Sequence, residues 1–185
     1  LMEAEQFSPS VGSELQKGAL LSVLIACGLM LIYIAFRFEL KFGLAAIIAL
    51  LCDVLTMISI YGLFHIQVNS PFIAAILVIL GYSINNTIVV FDRIRENSRL
   101  DRKMKPEPLV NLSVSQTLSR TIYTSLTTII SIGALLLLGT SSIREFVFPI
   151  MVGLIGGTYS SVFVSGALWY DINRMFGKKN KYHGK

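Results

Sequence analysis

Five runs of apolar residues, at positions 18–36, 42–64, 71–91, 121–139 and 147–170, alternate with short polar connectors along the chain. Each is about twenty residues long, enough as a helix to cross a hydrocarbon layer of roughly 30 Å. None shows the ten-residue alternating segments of a membrane β-barrel. The pattern predicts an all-α fold, a polytopic transmembrane helical bundle of five spans. Composition agrees with it. Apolar residues make up 54% of the chain and charged ones 15%, and the mean hydropathy is +0.67, which leaves too little polar surface for a soluble domain of this length.

The polar positions divide the chain. Residues 1–17 form an extracytoplasmic lead-in without the basic start of a signal peptide, and residues 18–92 hold the first three spans. Residues 93–120 form a cytoplasmic connector, residues 121–170 the last two spans, and residues 171–185 a basic cytoplasmic tail. The first half of the connector, RENSRLDRKMKPEP, is charged and carries Pro106 and Pro108, so a turn outside the membrane is expected there. The second half, LVNLSVSQTLSR, places Leu109, Leu112, Val114 and Leu118 at loose helical spacing, the pattern of an interfacial amphipathic helix leading into the fourth span.

Charge sets the orientation. If the chain starts outside, thirteen of its sixteen Lys and Arg residues fall in cytoplasmic segments. These are Arg37 and Lys41, then Arg93, Arg95, Arg99, Arg102, Lys103 and Lys105, and finally Arg174, Lys178, Lys179, Lys181 and Lys185. Lys17 and Arg144 would face outside, and Arg120 lies at the start of a span. The excess of positive charge on cytoplasmic loops thus puts the N-terminus outside and the C-terminus in the cytoplasm. The net charge of +5 is then the ordinary charge of a membrane topology facing lipid headgroups, which makes membrane lipids partners and argues against nucleic acid. Cys27 and Cys52 sit in apolar runs as reduced packing residues.

Polar residues inside the spans carry the candidate chemistry. Asp53 is nearly central in the second run, roughly 16 Å from either end at 1.5 Å per residue. An ionised carboxylate there costs roughly 2.5 to 3.5 kcal/mol, so Asp53 is either a proton carrier or a protonated partner of a neighbouring helix. Asn85 and Asn86 lie roughly 9 to 10 Å from the cytoplasmic end of the third run. Arg120 enters the fourth run from the same side and can extend its guanidinium along the helix towards them. Amides do not titrate, so the two asparagines either shape a hydrogen-bonded track or hold helices together.

Asp92, Arg93, Arg95 and Glu96 form an alternating interfacial charge cluster, either a solvated helix end or an ion-paired latch to a neighbouring loop. Gly153, Gly157, Ser161 and Ser165, with Gly156 beside them, form a helix-packing ridge for close approach inside the bundle or to a partner subunit. The chain has no nucleophile elbow, phosphate loop, H-E-x-x-H or Cys/His cluster, and His65 and His183 are isolated. A non-enzyme without cofactor or metal is therefore expected.

The segment PSVGSELQKGALLSVLIACGLMLIYIAFRFE, the run that carries Asp53, the signature GYSINNTIVVFDRIREN and the entry SQTLSRTIYTS occur in that order. Together they resemble the SecF family of protein-export membrane subunits over essentially the whole chain. The resemblance implies half of a resistance-nodulation-division transporter fold. It also implies SecD, the Sec translocon channel and a preprotein substrate as partners, at a bacterial or archaeal cytoplasmic membrane. Family members carry six spans with a periplasmic domain after the first, and this chain looks like the last five. Proton flow is then expected to drive late translocation, with a third-span Asp and a fourth-span Arg of this chain's kind in the relay. Arg120 matches the Arg, whereas the family's N-D-T reads Asn85-Asn86-Thr87 here.

Three explanations of that amide stand open: a natural variant that relies on Asp53 and a SecD carboxylate, coupling to another cation such as sodium, or a charge-neutralised form. Two rival functions also remain, a lipid or drug exporter of the same superfamily and a non-transporting translocon scaffold.

Overall fold

In hydrocarbon a backbone polar group finds no partner but the backbone itself, so long apolar runs fold as helices whose limits are set by a few local signals. The computed structural model describes residues 9–37, 39–66, 68–101 and 103–180 of the 185-residue chain. Arg102, Lys181, His183 and Lys185 lie outside the described residues. Among the described residues six α-helices follow one another: α1 Pro9–Arg37, α2 Leu40–Leu63, α3 Ser70–Leu100, α4 Pro106–Leu138, α5 Ser141–Tyr159 and α6 Ser165–Asn180. A π turn, Ser160–Val164, joins α5 to α6 without a break.

The local signals are legible one by one. The Asn69 side chain accepts a hydrogen bond from the Phe72 N–H at 3.1 Å and so caps α3, and a proline occupies the first turn, where its missing N–H is not needed. α4 opens on Pro106 in the same way. Between α4 and α5 the backbone folds so tightly that a Cβ on Gly139 would collide with the Leu135 carbonyl oxygen, and only glycine fits. Arg144 donates to the carbonyls of Gly139 at 3.0 Å and Leu137 at 2.9 Å, which closes the C-terminal end of α4.

Among the described residues, α2, α3, α4 and the continuous Ser141–Phe176 rod are long and apolar enough to cross a membrane. The first predicted span falls in α1, whose described apolar stretch, Leu21–Ile34, is shorter. Phe42 of α2 meets Phe91 of α3 edge-on at 5.1 Å and stacks on Trp169 of α6 at 5.2 Å. At the opposite end of the bundle Tyr61 packs on Phe72 at 4.3 Å.

The connector differs from its expectation. α3 continues to Leu100 and α4 starts at Pro106, so only five residues separate the two helices. At 1.5 Å per residue the 31 residues of α3 span roughly 46 Å, well beyond the hydrocarbon. The segment expected as an interfacial helix leading into the fourth span is the first part of α4, continuous with that span. Its buried face, Leu109, Val110, Ser113 and Thr117, is covered by protein. Asn97 of α3, itself buried, donates from one amide nitrogen to Ser113 and Gln116, each at 2.9 Å. Asn97→Ala should therefore lower stability by about 1–2 kcal/mol, measured as a fall in the thermal unfolding midpoint in detergent.

Candidate functional site

Ser83, Ser160 and Gly157, from other segments, surround Asp53 at the centre of α2. Asp53 is 2% exposed. One of its carboxylate oxygens accepts from the Ser83 hydroxyl of α3 at 2.5 Å, and the other accepts from the Ser160 hydroxyl, the first residue of the π turn. Gly157 lies against the same carboxylate, where a Cβ would stand 3.7 Å from Oδ2. Both oxygens thus find donors in a place that water does not reach, and the cost of burying the group is offset by hydrogen bonds.

Sequence reasoning selected Asp53 but neither serine. Ser83 lies inside the GYSINN signature and was overshadowed by the asparagines that follow it. Ser160 depends on the π turn. The backbone N–H of Ser165 bonds to the Ser160 carbonyl, five residues back, so this turn is wider than an α turn. A ridge repeating every four residues drifts around a helix of 3.6 residues per turn, and the wider turn offsets part of that drift. Ser160, Ser161 and Ser165 are consequently all buried. Gly153 and Gly157 are buried too, so the predicted ridge packs inside the bundle, against Met57, Ile79 and Ser83.

Asn86 belongs to the same seam, on the face of Ser83 one turn further along α3. It is 4% exposed, and its amide nitrogen has no hydrogen-bond partner. Asn85 is exposed. Arg120 is also exposed, and no hydrogen bond or ion pair between it and Asn86 occurs among the described residues. The four residues expected on one path therefore divide into a buried pair, Asp53 and Asn86, and a surface pair, Asn85 and Arg120.

A second polar knot ties three helices beside this seam. Ser125 of α4 accepts from the Tyr82 hydroxyl at 3.2 Å and from the Thr158 hydroxyl at 3.0 Å. Beyond it α4 presents Arg120, Thr124, Thr127 and Ser131 outward. Each hydroxyl of that row bonds back to a carbonyl of its own helix, Thr124 to Arg120, Thr127 to Thr124 and Ser131 to Thr127, all at 2.9 Å. This back-bonding satisfies the donors without a second helix. Of the four described helices long and apolar enough to cross a membrane, α4 is the least covered: 11% of its most apolar stretch is buried, against 50% for α3.

The interfacial charge cluster is only partly local. Arg93 pairs with Glu96 at 2.6 Å within α3, and its Nε donates to Gln116 of α4 at 2.7 Å. Arg93 thus reaches a neighbouring helix through the Gln116 amide.

The family model described as protein export membrane protein SecD/SecF, C-terminal, matches residues 1–175. The protein translocase subunit SecDF of Thermus thermophilus is 49% identical over 168 residues, covering 91% of this chain and 23% of that protein. The protein translocase subunit SecF of Sebaldella termitidis is 45% identical over 175 residues, covering 94% of this chain and 57% of that protein. A crystal structure of SecDF from Thermus thermophilus, described as a translocon-associated membrane protein, superposes with a TM-score of 0.81 at 48% identity, over 94% of this chain and 23% of that one. A second SecDF crystal structure, in a super-membrane-facing form, gives 0.82 at 45% identity, over 95% and 24%. This chain therefore spans little more than half of the SecF relative and about a quarter of the SecDF proteins. With the family model matched along nearly its whole length and this helical order shared, the chain belongs to the SecD/SecF family of protein export membrane proteins.

Proposed function

We propose that this chain is the membrane part of a SecF-like subunit that assists Sec-dependent protein export, using an ion gradient, in the first place of protons, to drive late translocation. The observation that carries the ion-coupling reading is the buried seam: a carboxylate, two hydroxyls and an unpartnered amide at membrane depth, all on facing helices. Polar groups in that position are expensive and characteristically mark ion pathways. In this reading Asp53 carries the proton, Ser83 and Ser160 hold it in place, and Asn86 supplies a fixed donor. Arg120 and Asn85 face a SecD half, whose helices cover the exposed polar row of α4. α1 supplies the first of five spans, the N-terminal side lies outside, and the basic ends of the helices lie in the cytoplasm with the Sec channel as neighbour.

The test is gradient-dependent completion of preprotein export in vesicles, with the full-length protein assembled with SecD at equal abundance. With native Asn86, collapsing the gradient is expected to slow completion about tenfold, equivalent to about 1.4 kcal/mol of barrier. Export that ignores the gradient with Asn86 but depends on it after Asn86→Asp would place the carrier at position 86. Export indifferent to the gradient in both forms would leave only a scaffold.

A further inference from the structure

At the basic end of the bundle the ends of α1, α2, α3 and α4 meet α6 around a cavity of about 570 Å³. Arg95 and Arg99, one turn apart on α3, line it together with Glu39, Asn173 and Trp169. Lys41, behind the wall, donates to the Asn173 side chain at 2.9 Å. Cations thus outnumber the single carboxylate. The helix starts at Glu39 and Pro106 both border the cavity, and neither N-cap side chain, Glu39 or Lys105, bonds its own helix. α2 offers N–H groups there that favour an anion, whereas Pro106 and Pro108 at the start of α4 carry none. Independently of these, Trp169 is 7% exposed and its indole N–H has no hydrogen-bond partner. The nitrogen itself is covered by protein, so Trp169 serves the wall as a ring and a reporter rather than as a donor into the cavity.

The wall is not polar throughout. Phe36, Phe42 and Leu109 form an apolar side, and Phe36, at 91% exposure, stands at its rim. A free anion has no use for that side; an amphiphile does. We propose that this cavity binds the phosphate headgroup of an anionic membrane phospholipid, with its acyl chains leaving along Phe36. Basic pockets between helix ends at a membrane surface take such headgroups. Bound lipid would tie the ends of five helices together, and this holds whatever cargo the family partners move.

Trp169 is the only tryptophan in the chain, so its fluorescence reports directly on the cavity wall. Titrating the chain in a neutral detergent with dihexanoyl phosphatidylglycerol should give a saturable change in Trp169 emission. Dihexanoyl phosphatidylcholine, with the same acyl chains and no net charge, should require about fivefold more or worse. Arg99→Gln should weaken the phosphatidylglycerol response about fivefold, and Arg99→Lys should restore most of it. Because Arg99 is exposed, lipid-free emission of both variants should match the parent. Equal responses to the two lipids overturn the proposal, as does an unchanged affinity in both the Arg99→Gln and Arg95→Gln chains. The same change produced by inorganic phosphate or glycerol 3-phosphate at the same concentration assigns the site to free phosphate and overturns the lipid source.

Discussion

Asp53→Asn should cut gradient-driven export about tenfold, or about 1.4 kcal/mol of barrier, while leaving the bundle folded. Asparagine has the shape of aspartate, so its carbonyl oxygen can still accept from one serine. Its NH₂ group can donate to the other, because a serine oxygen both donates and accepts. The Ser160 hydroxyl already lies within 3.3 Å of the Gly157 carbonyl and can turn its proton there. What the amide cannot do is take up and release a proton. Asp53→Leu is a different experiment. It deprives two buried hydroxyls of their acceptor, and Ser83 has no other hydrogen bond among the described residues. A cost of about 1–3 kcal/mol in stability is expected for it. Measuring export and unfolding side by side therefore separates the two roles of the carboxylate. If Asp53→Asn exports as the native protein does, Asp53 is a packing partner and the carrier lies elsewhere. Combining Asp53→Asn with Asn86→Asp moves the carboxylate across the seam from α2 to α3, and recovered export would show the two positions to be interchangeable.

The largest effect on stability is expected at Gly153. A Cβ there would stand 2.6 Å from Ile79 Cγ1, 3.0 Å from Ile79 Cγ2 and 2.8 Å from Met57 Sδ. Methionine can bend away, but isoleucine is branched at Cβ and has few rotamers to retreat into. Gly153→Val should thus cost at least about 1–3 kcal/mol through overpacking, seen as a lower thermal midpoint or failure to assemble. Gly156→Ala is the control on the same helix. Its Cβ would meet only Thr56 Cγ2, at the ordinary distance of 3.5 Å, so the change should stay within about 0.5 kcal/mol. Shortening Ile79 to alanine should restore part of the loss at Gly153 in a double-mutant cycle. A Gly153→Val protein as stable as the parent would mean that α5 does not approach α3 as closely as the ridge requires.

Much of this architecture was already written in the order of residues. A run of about twenty apolar residues has only one way to satisfy its backbone in hydrocarbon, so the positions of α2, α3, α4 and the α5–α6 rod followed from pattern alone. The small-residue ridge was equally plain, since spacing by four means one helix face whatever lies opposite. Asp53 and Asn86 stood out because polar groups are rare and costly at that depth. The partners of those groups were not legible. Ser83 lies 30 residues from Asp53 and Ser160 lies 107 away, and no local rule connects such positions. The π turn that aims Ser160 at the carboxylate is a departure from the regular period on which sequence reading rests. The first third of α4 shows the same limit. Its loose apolar spacing fits a membrane interface as well as a protein neighbour, and Asn97 and the faces of α3 and α6 decide for protein. Arg120 and Asn86 approach from the same end of the bundle, which counting residues reveals, but one is exposed and the other buried, which depends on how α3 and α4 turn about their axes. Rotation of each helix is set by side chains packing across contacts distant in the chain, and so it belongs to the folded bundle rather than to any one segment of it.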